Sequence, residues 1–171
     1  MAHDVEKLVS DIVKQVLSQE SSNVKTTATV KNTMTRITLE AARKTIEAVE
    51  KKAKEMGVKA VTAIADAGGN PIAVECMDDA FIASFDIAVN KAFTVVSLKM
   101  PTKNLATLAA PGGSLYGIQF TNNGKIIIFG GGEPLTNKDG VIIGGLGVSG
   151  GTAEQDTFLG EYGKEFFENL I

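Results

Sequence analysis

A single cysteine, Cys76, leaves no disulfide possible within one chain, and nothing points to an oxidising compartment. Histidine is as scarce: His3 stands alone, which excludes zinc sites built from several imidazoles and a histidine-centred triad within one chain. No apolar run reaches the roughly 20 residues a membrane helix needs. The opening residues alternate charges with aliphatics and lack a basic start before a solid apolar stretch. Neither a membrane span nor a secretion signal is expected, and the expected compartment is the cytoplasm. A basic excess is missing too. With a formal net charge of -3 and a pI near 5.2, the chain has no general attraction to nucleic acid or anionic lipid. Nucleophile-elbow, Cys-x-x-Cys and P-loop lysine patterns are absent, so no residue pattern declares an enzyme.

What is there is a globular composition, 44% hydrophobic and 22% charged over 171 residues, enough for one ordinary domain and an appendage. Val5, Leu8, Val9, Ile12, Val13, Val16 and Leu17 form one apolar helical stripe, with Asp4, Glu6, Lys7, Asp11, Lys14 and Gln15 on the other side. Residues 1–19 therefore read as an amphipathic targeting helix. Residues 20–35, rich in Ser, Thr, Asn and Lys, read as a flexible linker, and 36–171 as the domain.

Within the domain, Thr38 is a candidate N-cap and Leu39, Ala42, Ile46, Val49 and Ala53 repeat at helical spacing up to Gly57. Residues 58–65 and 71–77 flank an Asp66-Ala67-Gly68-Gly69-Asn70 turn and predict a hairpin, with Pro71 at a strand start or edge. Residues 80–99 are apolar over most of their circumference, which predicts a helix covered on several sides. Pro101 ends it and residues 102–109 predict a short helix. Residues 116–121 and 125–129, around Asn122-Asn123-Gly124, predict a second strand pair, and residues 141–148 the last strand. Thr152 and Gln155 form a capping-box pattern that opens a final helix to about Leu170. The order α, β, β, α, β, β, β, α predicts an α+β fold: a mainly antiparallel sheet of about five strands flanked by helices.

Each chemical signal has a plain structural alternative. Gly145-Leu146-Gly147-Val148-Ser149-Gly150 matches a dinucleotide fingerprint, but a Rossmann unit needs a further parallel strand after the helix, so nucleotide binding is not expected. Ser149, Gly150 and Gly151 can offer backbone N–H groups to an anion at a helix start, or simply make a tight turn. Glu133, after the cluster Gly130-Gly131-Gly132, is a pocket acid or a solvated loop acid. Asp78 and Asp79 can serve a site or merely favour a helix start. Lys91, in an apolar sector, snorkels, pairs with an acid or lines a pocket. Cys76 and Met77 are soft ligands or core filling.

Several blocks taken together are more specific: residues 65–71, Met77-Asp78-Asp79-Ala80, Lys91-Ala92, residues 130–135, and residues 147–151 followed by Gln155-Asp156. In order and spacing they resemble the GlcG/HbpS family, which includes the C-terminal domain of PduO proteins. The resemblance implies a profilin-like fold, homo-oligomerisation and, in several members, haem binding or involvement with corrinoid metabolism. The chain departs from it in carrying Cys76 where relatives commonly have arginine, and in having no histidine within the domain. Residues 1–19 resemble in pattern the encapsulation peptides that direct cargo into bacterial microcompartments, with a shell protein as the expected partner. Three readings follow. The first is a haem, tetrapyrrole or corrinoid-related accessory protein in a microcompartment lumen, with Asp78, Lys91, Glu133, Ser149, Gly150 and Gly151 around the cofactor. The second is a small-metabolite enzyme using Asp78 or Glu133 as acid or base, and the third an oligomeric scaffold without ligand. If haem binds, Met77, Tyr116 or solvent is the expected axial contact ahead of Cys76.

Overall fold

The structure, a computed structural model, describes residues 33–171. The targeting helix and most of the linker expected for residues 1–35 lie outside the described residues. Helix α1 (Leu39–Glu55) starts where Thr38 Oγ1 accepts the Ala41 N–H at 3.1 Å. It stops before Gly57, whose φ of 70° suits a residue without Cβ. Strands β1 (Val61–Asp66) and β2 (Pro71–Cys76) form the expected antiparallel hairpin. At its turn, Asp66 Oδ1 accepts the Gly68 and Asn70 N–H groups at 2.8 and 2.9 Å, replacing the pairing that the strands give up.

Helix α2 (Ile82–Leu98) and the short α3 (Thr102–Leu108) come next. The expected strand pair at 116–121 and 125–129 does not form. Ile118–Phe120 and Asn122–Gly124 are single 3₁₀ turns. Asn122, Asn123 and Gly124 all have φ between 50° and 76°, a left-handed run that turns the chain with no strand on either side. Residues 125–127 lie instead on α2, where the Ile127 N–H donates to Thr94 Oγ1 at 3.0 Å.

The missing strand lies a few residues on. β3 (Gly132–Thr136) begins inside the glycine cluster expected to be loop, and it pairs antiparallel with β4 (Ile142–Ser149). The sheet therefore has four strands among the described residues, not five, in the order β2-β1-β4-β3. Helix α4 (Ala153–Leu170) closes the fold with both halves of the expected capping box in place.

Three layers result. Val61, Ala63 and Ala65 of β1 face Ala88 and Ala92 of α2 on one side of the sheet. Ile64, Leu135, Leu146 and Val148 pack with Ile46 and Val49 of α1 and Leu159 and Phe167 of α4 on the other. The fingerprint-like glycines serve this packing. A Cβ at Gly147 would lie 2.7 Å from the Ala92 backbone nitrogen, and one at Gly145 would lie 2.5 Å from Val95 Cγ2. α2 thus rests almost on the strand backbone, a packing role rather than a phosphate cradle.

Candidate functional site

Lys91 is fully buried, which for an ammonium demands compensation by hydrogen bonds and opposite charge. From α2 it passes Gly131 and meets the far layer, donating to Val148 O at 2.7 Å and to Asp156 Oδ2 at 2.8 Å. The Phe129 ring covers it at 4.9 Å. Asp156 uses its other oxygen to accept the Gly151 N–H at 2.8 Å. Burial pulls the Lys91 ammonium below the ordinary lysine value, and Asp156 opposes that shift. Of the three fates open to Lys91, the pairing with an acid is the one observed. Asp156 was visible as the fourth residue of the last helix, but nothing in the sequence tied it to Lys91. Gly131 belongs to the same arrangement, because a Cβ there would sit 2.7 Å from Lys91 Nζ.

The turn entering α4 is occupied by its own chain. Gly151 N–H serves Asp156, Thr152 N–H donates to Gln155 Oε1 at 2.9 Å, and Gln155 N–H donates to Thr152 Oγ1. Ser149 is buried, with its hydroxyl 3.1 Å from that of Ser84. Gly150 packs on Lys59 and Ala60, where a Cβ would meet the Ala60 Cα at 2.8 Å.

Asp78 stands apart from Lys91. It is exposed beside a groove of about 580 Å³ between α1, the connection from α1 to β1 and the end of β2. Its volume falls within the range common for ligand sites. Cys76 is exposed in the wall, and Met77 lies beside it with its sulfur accepting the Ala60 N–H at 3.3 Å. Lys54 and Lys59 also line the groove, Lys59 bridging to Asp79 at 2.6 Å, together with Glu50, Glu75 and Asp78. Partial burial, then Glu75 and Glu47, holds the Glu50 carboxyl above the usual value, a sign of local negative potential. A smaller recess sharing Gly57–Lys59 and Asp79 adjoins Gly150 and Gly151. Asp78, Gly150 and Gly151 thus gather around one surface, with Lys91 and Ser149 buried behind the α4 turn.

Glu133 belongs to neither group. It lies on β3, the edge strand opposite β2, so two strands separate it from the Asp78 region. At about 4.8 Å per strand step, the two acids cannot share one small substrate. Glu133 is buried beneath α4, and its Oε1 has no hydrogen-bond partner. Burial raises its carboxyl above the usual value, against the pull of Lys164 and Lys103.

Comparison with known proteins places the chain. It is 48% identical over 134 residues to an uncharacterised 15.0 kDa protein of the dhaT-dhaS intergenic region of Citrobacter freundii, covering 78% of this chain and 94% of that one. It is 33% identical over 160 residues to the corrinoid adenosyltransferase PduO of Citrobacter freundii, covering 94% of this chain. The chain spans 47% of that relative's length. A crystal structure of a PduOC:heme complex superposes with a TM-score of 0.73 at 35% identity, over 76% of this chain and 94% of that one. The description haem degrading protein HbpS-like matches residues 37–163, and the chain belongs to this HbpS-like family.

Proposed function

We propose that the chain is an accessory protein that binds a tetrapyrrole, haem in the first instance, in the groove between Gly57–Lys59 and Glu75–Asp79. The observation that carries the reading is the exposed thiol of Cys76 in the wall of a concave site of ligand size. Support comes from the relative solved with heme at 35% identity. Haem iron is held by His, Cys, Met or Tyr. Met77 already accepts an N–H, and Tyr116 is not among the groove residues, so the order expected from sequence changes in favour of Cys76. Lys54 and Lys59 suit propionates, whereas Glu50, Glu75, Asp78 and Asp79 oppose them. The donor set fits the iron better than the carboxylates of the cofactor, and binding should be modest. When bound, haem would supply a redox-active iron. The chain's part is to hold the ring and set the charge around it.

Haemin titrated into the full chain should give a Soret shift that is lost in Cys76→Ser and strengthened several-fold in Asp78→Asn/Asp79→Asn. A shift indifferent to both substitutions would put the ligand elsewhere, and no shift would remove haem. Cobalamin is the second probe, because the PduO relative is named for corrinoid chemistry. Adenosyl transfer belongs to that longer protein and is not assigned to this chain.

Delivery to a microcompartment is the companion proposal, resting on the amphipathic pattern of residues 1–19. Residues 1–34 fused to a fluorescent protein should form puncta in cells assembling shells. Diffuse fluorescence in those cells would end the idea. The enzyme reading keeps one favourable observation, the buried and raised carboxyl of Glu133, but Glu133 lines neither the groove beside Asp78 nor the recess beside Gly150.

A further inference from the structure

Glu133 has no part in the tetrapyrrole reading, and its surroundings are unusual. Its side chain is nine-tenths or more buried between the edge strand β3 and helix α4, with Oε1 lacking any partner. Gly160 brings the helix down on it: a Cβ at Gly160 would lie 3.4 Å from Glu133 Cγ. A carboxylate with an orphan buried oxygen is strongly disfavoured, whereas a neutral carboxyl in the same place leaves only an unfilled acceptor.

The geometry points to Glu133 as a proton-controlled wedge, closed under α4 when protonated and loosening the helix from the sheet edge when ionised. The charged groups facing it come from every element packed there. α3 contributes Lys103, and α4 contributes Glu161, Lys164 and Glu168. Lys103 and Glu161 form an ion pair that straps α3 to α4. At the far end, Thr136 Oγ1 donates to Glu168 Oε1 at 2.8 Å and Lys138 Nζ to the Glu168 carbonyl at 2.9 Å, pinning the end of α4 to the β3–β4 hairpin. An ionised Glu133 needs water at its orphan oxygen and is repelled by Glu161 and Glu168 of α4, against the pull of Lys164 and Lys103, so the middle of α4 is the segment that gives way.

The sign follows from proton binding. The native state binds the Glu133 proton more tightly than the unfolded chain does, so the stabilisation is complete below the ordinary value of 4.5 and is lost as pH rises through the raised native value. Hydrogen exchange of the full chain tests this, read at the amides of residues 157–164 and corrected for intrinsic rates. Between about pH 5 and about pH 8, protection there should fall several-fold. Protection in α1 should stay level. Glu133→Gln and Glu133→Leu should each flatten the α4 profile. Protection in the native chain that does not change with pH would overturn the proposal, as would the same pH dependence in either variant.

Discussion

Breaking a buried ion pair from one side leaves an uncompensated charge in the interior, so removal of either partner is more damaging than removal of both. Lys91→Met leaves Asp156 buried with only the Gly151 N–H to satisfy it, and Asp156→Leu leaves the ammonium with one carbonyl. Each should destabilise the fold by about 3–5 kcal/mol. The double variant should recover a substantial part, a non-additivity readable by chemical denaturation as a double-mutant cycle. Equal and additive losses would mean that the pair is not coupled. The sequence placed Lys91 among apolar neighbours, and the demand for compensation followed from that position alone. Its partner was not legible, because Asp156 lies 65 residues away and only the packing of the layers joins them.

Among the elements, caps and turns were the most legible and strand positions the least. Thr38, Gly57, Thr152 and Gln155 act through neighbours three or four residues away, and the structure places them as their chemistry predicts. The Asn122-Asn123-Gly124 step also turns, yet its flanks build no strands, since turn chemistry fixes a bend and not what is paired beside it. β3 was hidden for the opposite reason. Its Gly132 and Pro134 are poor strand formers, held in the sheet by the contacts of β4, α2 and α4. The candidate site shows the same split: the groove acids were visible singly, while their separation from Glu133 depends on strand order. Two substitutions measure how far tertiary contacts outweigh local ones. Thr152→Ala removes one cap and should destabilise by about 1 kcal/mol. Gly147→Ala drives a methyl into the backbone of α2 and should destabilise by about 3 kcal/mol, the upper part of the range for overpacked cores. Thermal melts of the two variants that rank the other way would show that α2 can move off the sheet at little expense.

For the whole molecule, the surface is unusual around the start of α2. Phe81 is 72% exposed and Ile82 96%, with Phe85 also open to solvent. The sequence led to a helix covered on several sides; within one chain, the described residues leave this part uncovered. We propose that further copies of the chain cover it. Light scattering on protein lacking residues 1–34 should show more than one chain per particle, and Ile82→Glu with Phe85→Glu should reduce its mass. A monomer at micromolar concentration would count against this. The Lys91–Asp156 pair also bears on time. Its partners come from opposite faces of the sheet, so it closes only once both layers have docked. The effect expected of such a contact is small on the rate of folding and large on how long the assembled protein survives before it opens.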